Sequence, residues 1–295
     1  MDPAAVPHYD RPMRRRTRSK IGATLVIAVA AGCAGSSSSG AIQDAAAAPS
    51  DAAGDAGSAP DGAPTGASAC AGPGLLFCDD FETTALGPAT STRWTTDAQG
   101  GALTIDAEHA YGTRALHVHT DQNGRAMIRV PSFAPPDNSF FGRARIWVTA
   151  FPTAPDGAHF TLVEAAGATP GLIRPIGGQY ISGPARSMWG VGSDGGPTGD
   201  WTNWQTAAPA QAGRWLCMEW SLRAADDVVE IWIDGTAHPE LTVSRTQHGG
   251  NKVDFVFPTF TSIWIGWWLY QGGPTPAQYD VWFDDVALAT ARLGC

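Results

Sequence analysis

From residue 70 to the C-terminus the chain consists of short runs of aliphatic, aromatic and β-branched residues, each closed by a turn signal. No stretch of useful length carries the apolar repeat of an amphipathic helix. In Ala-Leu-His-Val-His-Thr, Leu116 and Val118 point one way while His117 and His119 point the other. In Val-Val-Glu-Ile-Trp-Ile-Asp-Gly, the closing Asp234-Gly235 reads as a hairpin turn. Read in this way, strands fall at 75–81, 102–106, 115–120, 126–130, 142–151, 160–164, 178–181, 215–223, 228–233, 241–245, 255–260, 263–270 and 279–288. Such strands must bury one face against another layer, so the prediction is an all-β, two-sheet antiparallel β-sandwich of the jelly-roll type. All twelve tryptophans lie in this region. Trp264, Trp267 and Trp268 cannot all point inward on one strand. At least one should face away from the core, where an indole can stack on a sugar ring.

The region before residue 70 reads differently. Arg11, Arg14, Arg15, Arg16, Arg18 and Lys20 precede an apolar run at 21–31 that is too short to span a bilayer. It closes on Ala30-Ala31-Gly32-Cys33, the small-residue pattern required before a lipidated cysteine. Residues 34–69 are Ala, Gly, Ser, Pro and Asp with Ile42 as the only large aliphatic residue, a composition that cannot offset its own ordering entropy. The expected organisation is a lipoprotein signal peptide over 1–33 ending at Cys33, a disordered linker over 34–69, and a jelly-roll domain over 70–295. That implies an exported protein touching the membrane only through its lipid, with Ala34 favouring the outer membrane.

Charge and cysteine content narrow the partners. Residues 1–32 hold six Lys/Arg and two Asp/Glu; without them 13 Lys/Arg face 26 Asp/Glu, a net charge of −13. Only Lys252 remains as lysine. This argues against nucleic acid, whose binding rests on cationic contacts to phosphate. Cys70, Cys78, Cys217 and Cys295 are an even set in an oxidising compartment, and allow three pairings. We favour Cys70 with Cys78, closing a small loop at the domain entrance, and Cys217 with Cys295, pinning the last strand to a central one. Neither pair has the spacing of a zinc site.

Three stretches carry a family resemblance: Cys78-Asp79-Asp80-Phe81-Glu82, Leu216-Cys217-Met218-Glu219-Trp220, and the C-terminal Ile265-Gly266-Trp267-Trp268-Leu269-Tyr270 with Val281-Trp282-Phe283-Asp284-Asp285-Val286. Residues 75–295 resemble the core domain of the fungal cellulose-induced protein and its bacterial relatives. That family is similar in fold to glucuronan lyases and other concanavalin-like polysaccharide lyases. The resemblance implies a structural calcium ion held by Glu82 and Asp284, completed by backbone carbonyls near Tyr111 and Arg114. It also implies a cleft with His159, Gln179 and Tyr270. The family's arginine falls at Pro175 here, with Arg174 one residue earlier. A one-residue slip reverses a strand side chain, so Arg174 serves only if a bulge at the proline restores its direction.

β-Elimination at a uronic acid requires a neutralised carboxylate, a base for the C5 proton and an acid for the leaving oxygen. Gln179, with Arg174 if correctly aimed, suits the first need. His159 suits the base, and Tyr270 the acid or both roles. The paired carboxylates of a retaining glycosidase are missing from Glu230-Ile231-Trp232-Ile233-Asp234. His117 and His119, with Asp121 following, read as polar surface rather than a metal site. Two functions stay open: a tethered polysaccharide lyase acting on a polyuronate, and a non-catalytic carbohydrate-binding or structural envelope lipoprotein.

Overall fold

A computed structural model describes residues 70–167, 171–194, 199–250 and 255–295. Fourteen strands account for most of them. They are β1 (Leu75–Asp79), β2 (Gly87–Pro88), β3 (Thr95–Asp106), β4 (Ala115–Pro131), β5 (Phe140–Val148), β6 (His159–Gly167) and β7 (Leu172–Ile181). The second half adds β8 (Arg186–Asp194), β9 (Gly199–Asp200), β10 (Trp215–Arg223), β11 (Val228–Ile233), β12 (Thr236–Ala237), β13 (Phe260–Leu269) and β14 (Gln278–Ala289). All pair antiparallel; eleven run in the order β12-β11-β10-β5-β14-β4-β13-β6-β7-β8-β9, while β1 pairs with β14, β3 with β4 and β2 with β3.

The two layers of this jelly roll are one curled sheet, and β4 is where it turns. Residues 116–121 of β4 pair with β14, whereas 125–131 pair with β13. β3 follows β4 along both halves, with a register shift between Gln99 and Gly101. Gly124 sits at this turn with its neighbours pressed close: a Cβ there would lie 2.3 Å from the Gly100 carbonyl. The β11-β10-β5-β14 layer and the β13-β6-β7-β8 layer then bury their inner faces against each other. Met218 and Ile231 from the first layer meet Ile176, Trp189 and Val191 from the second.

Alternation sets which side chains enter this core. In β5, Phe140, Ala144, Ile146 and Val148 are buried while Phe141, Arg143, Arg145 and Trp147 face out. In β4, Leu116 and Val118 are fully buried, as their pattern predicts. Trp220 of β10 fits inward because β5 offers Gly142 beneath it, where a Cβ would come within 2.1 Å of the indole. Each fully buried large apolar side chain of this kind contributes about 1.5–3 kcal/mol.

Two expected strands are not strands. Residues 239–241 form a 3-10 turn, and Val243 reaches β11 only through an isolated bridge to Val229. Phe255 and Phe257 are buried core residues beside Trp201, outside any ladder. Apolar content marked both segments correctly as interior but not as paired. Conversely β8 went unread, because its Gly190 and Gly192 look like breakers. The favoured disulfides form: Cys70–Cys78 and Cys217–Cys295. Cys33 and the expected signal and linker segments lie outside the described residues, and no helix among the described residues is long and apolar enough to cross a membrane.

Candidate functional site

The face of the β13-β6-β7-β8 layer that turns away from the core collects most of the chemistry. Phe160, Leu162, Trp267 and Leu269 point into the core, so His159 and Thr161 on β6 and the alternate positions at the end of β13 point out; register shifts in β6 then turn Val163 and Ala165 inward and leave Glu164 on the outer face. His159 and Gln179 are directly opposed across β6 and β7 and therefore share this outer face. Tyr270, following β13, stacks on the His159 ring with 5.6 Å between centroids.

Arg174 reaches the same place through an irregularity at Pro175. Ile173 and Ile176 are both core residues although three positions apart, which a regular strand cannot achieve. The register slips on both sides of this stretch, between Arg174 and Gly177 against β8 and between Val163 and Ala165 against β6. The extra residue sends the Arg174 side chain outward. There its guanidinium donates to the Tyr270 hydroxyl and pairs with Asp194 at 3.1 Å and Asp200 at 3.4 Å. The two glycines of β8 leave room for this: a Cβ on Gly192 would lie 2.5 Å from the guanidinium, and one on Gly190 would collide with Trp204.

The sequence reading missed Asp200, which joins the group. Its carboxylate takes His159 Nε2 at 3.0 Å with one oxygen and Arg174 with the other. Burial works against its charge, but the His159 hydrogen bond and the charges of His159 and Arg174 hold its pKa below the usual carboxylate value. Asp200 sits in a two-residue strand with no periodicity around it, so nothing local signals its role. Gln271 was missed for a similar reason. Its Oε1 accepts from the His159 backbone N–H, which turns its Nε2 donor onto His159 Nδ1 at 2.9 Å. The hydrogen of a neutral His159 ring therefore sits on Nε2, towards Asp200. Both ring nitrogens are engaged. Burial, followed by the nearby Asp194 and Asp200 charges, raises the Tyr270 pKa above its ordinary value despite Arg174, so at neutral pH the phenol keeps its proton.

An aromatic row extends from this centre along β13. Trp268 lies 4.8 Å from Tyr270, and Arg125 of β4 is sandwiched at 4.8 Å from Trp264 and 4.9 Å from Trp268. Trp264 and Trp268 are half-buried whereas Trp267 is wholly buried, so the three divide between the two faces as expected. Arg125 closes a two-pronged pair onto Glu164, a carboxylate 1% exposed in the apolar run of β6. Burial raises the Glu164 pKa even so, against the Arg125 charge. An acid in the middle of an apolar strand was the visible signal that a partner had to exist.

The expected calcium ligands gather on the opposite layer. Asp284 accepts from the N–H groups of Tyr111, at 2.9 Å, and Gly112, at 3.3 Å. Glu82 accepts from the N–H groups of Thr113 and Arg114 in the same loop. These amides, not the carbonyls of Tyr111 and Arg114, meet the carboxylates. Among the described residues no ion pair to Asp284 is found, and burial pushes its pKa up to about 7. A buried carboxylate with no ion-pair partner among the described residues, bound to the same loop as a second carboxylate, fits a hard divalent cation, although Arg145 lies opposite it on β5. Among the described residues no three His, Cys, Asp or Glu side chains are grouped to hold a metal, so loop oxygens would have to complete its shell. His117 and His119 are committed elsewhere: His117 bridges Asp106 and Asp280, and His119 also meets Asp280.

Comparison with known proteins agrees with this architecture. The family model described as polysaccharide-lyase-like, "Cip1-like, core domain", matches residues 80–291. The solved structure of "Cellulose induced protein, Cip1" is 24% identical, with 74% of this chain and 99% of that one covered and a TM-score of 0.57. A "Sialidase" structure is 14% identical over 74% of this chain and 18% of its own, with a TM-score of 0.44. The "Binding domain of Botulinum neurotoxin DC in complex with rat synaptotagmin II" is 10% identical over 75% and 49%, also at 0.44. No curated protein matches the chain. With more than two thirds of its length matched by one family model, the chain belongs to the Cip1-like core-domain family of polysaccharide-lyase-like jelly rolls.

Proposed function

We propose that the protein engages a polysaccharide across the outer face of the β13-β6-β7-β8 layer and cleaves uronic-acid polymers there by β-elimination. The observation that carries this reading is the convergence of His159, Arg174, Gln179 and Tyr270 on one face, with Asp200 linking two of them. In the reaction a base takes the C5 proton, a C4–C5 double bond forms as the C4–oxygen bond breaks, and the leaving oxygen takes a proton. Tyr270 holds a proton at neutral pH and suits the acid. Gln179 can donate its amide to the uronate carboxyl, which favours the enolate-like charge. His159 serves as base only when Gln271 releases Nδ1, since Nε2 is directed at Asp200. Absorbance of the unsaturated product, measured on polyglucuronate, alginate and pectate with and without Tyr270→Phe, tests the reading.

A second reading, carbohydrate binding without chemistry, is favoured by one specific observation. Arg174 is 4% exposed and its guanidinium is already held by Asp194, Asp200 and Tyr270. It has little left to offer a substrate carboxylate. In either case we infer a calcium ion at Glu82 and Asp284 that offsets the buried Asp284 charge and ties loop 109–114 to both ends of the domain. We also infer export, with Cys33 carrying lipid and residues 34–69 holding the domain away from the outer membrane.

A further inference from the structure

Among the described residues, Arg129 is the one arginine whose side chain makes neither a hydrogen bond nor an ion pair. Its Nε is buried without a partner, and its guanidinium lies 5.3 Å from the centre of the Trp264 ring. This stands out in a protein with 28 Asp/Glu against 19 Lys/Arg, where a half-buried guanidinium ordinarily finds a carboxylate. The nearest candidates are taken. Arg129 opposes Trp264 across β4 and β13, and Trp264 opposes Glu164 across β6, but Arg125 occupies both Glu164 oxygens. Asp97, which projects from β3 on the same side, is also paired to Arg125. The planar donor fork of Arg129 therefore lies beside an indole and makes no hydrogen bond or ion pair among the described residues.

The location gives that vacancy a meaning. Trp264, Arg125, Trp268 and Tyr270 form a continuous row, and its contacts of 4.8, 4.9 and 4.8 Å keep the Trp264 and Tyr270 rings within about 15 Å, the length of a few sugar units. A polymer lying along β13 with one unit at Tyr270 would pass a later unit over Trp264 and beside Arg129.

We propose that Arg129 and Trp264 form an anionic-sugar subsite, remote from Tyr270, in which the guanidinium pairs with a uronate carboxylate while the indole stacks on the ring. The proposal rests on the polysaccharide reading above and adds to it: the bound polymer is acidic beyond the unit at Tyr270, and an arginine outside the central cluster selects it. A sulfate ester would present similar charge, though without the planar two-oxygen match to a guanidinium.

The test is calorimetric binding to purified protein carrying Tyr270→Phe, so that no polymer is consumed, with and without Arg129→Gln and Arg129→Lys. The ligands are polyglucuronate, its carboxyl-reduced neutral counterpart, and a sulfated glucan. Arg129→Gln should weaken polyglucuronate binding about tenfold, as loss of a charge-assisted pair does, and flatten its salt dependence. Neutral-polymer binding and the melting temperature should stay unchanged, because Arg129 makes no internal hydrogen bond, and Arg129→Lys should restore part of the affinity. Unchanged polyglucuronate binding in Arg129→Gln, or equal loss on the neutral polymer, overturns the subsite. Arg129-dependent preference for the sulfated glucan overturns its carboxylate assignment. Binding of the neutral polymer but not polyglucuronate by the protein with Arg129 intact also overturns the subsite while leaving the polysaccharide reading standing. Binding to none of the three removes both.

Discussion

Asp200 shows how much of the site depends on a residue that only the folded chain reveals. It orients His159 through Nε2 and steadies Arg174, so its replacement should disturb two neighbours at once. Because its folded pKa lies below the ordinary 3.8, its ionic contribution is fully present above that value and is lost as pH falls through the lower folded one. Asp200→Asn should therefore melt at a lower temperature than the parent at neutral pH, and the gap should close below about pH 3.8; a gap independent of pH would mean that the carboxylate charge is not what matters. Tyr270→Phe removes a hydroxyl held by Arg174 and should abolish product formation while leaving the fold intact. His159, Gln179, Tyr270 and Arg174 came from the family resemblance, whereas Glu164, a charge in an apolar run, was not singled out although its position signals a buried partner. Asp200 and Gln271 sit beside breaks in the strand pattern and carry no signal of their own.

At the scale of elements, the site is built by exceptions to regular strand geometry. The slip at Pro175 redirects Arg174, and the alternating glycines of β8 clear the floor beneath Arg174 and Trp204. Gly192→Ala places a Cβ 2.5 Å from the guanidinium and should push Arg174 off Tyr270 and Asp200. The expected result is loss of cleft function at least tenfold with a far smaller change in melting temperature, read by comparing activity or affinity against thermal unfolding. Equal loss of both would make Gly192 a purely structural residue. Regular elements were easy to read, since β10 and β11 have the predicted bounds and alternation alone places their side chains. β8 was not, because glycine in a strand reads as a breaker until the side chain that needs its space is known.

Over the whole domain, two covalent closures and one inferred ion hold the chain ends. Cys217–Cys295 closes a loop of sequence separation 78, against 8 for Cys70–Cys78. Chain-entropy arguments assign about 4–5 kcal/mol to the longer loop and about 2–3 kcal/mol to the shorter one. Replacing Cys217 and Cys295 by serine should lower denaturant midpoints more than replacing Cys70 and Cys78; the reverse order would mean that strain or residual structure dominates. If calcium sits at Glu82 and Asp284, saturating it about a hundredfold above its dissociation constant should stabilise the domain by about 2.7 kcal/mol, and Asp284→Asn should abolish the effect. The all-β class was readable from alternation and turn chemistry, and the two disulfides are the favoured one of the three pairings that cysteine number allows. The curl of one sheet through β4 was not, because it depends on which half of a long strand meets which partner. The account centres on a polymer cleaved at Tyr270, and the most direct test follows the ultraviolet absorbance of the unsaturated uronate with calcium-loaded protein and a panel of polyuronates. A rise in at least one polymer that vanishes in Tyr270→Phe is the predicted result; a flat trace across the panel from folded protein would contradict it and leave carbohydrate binding without chemistry.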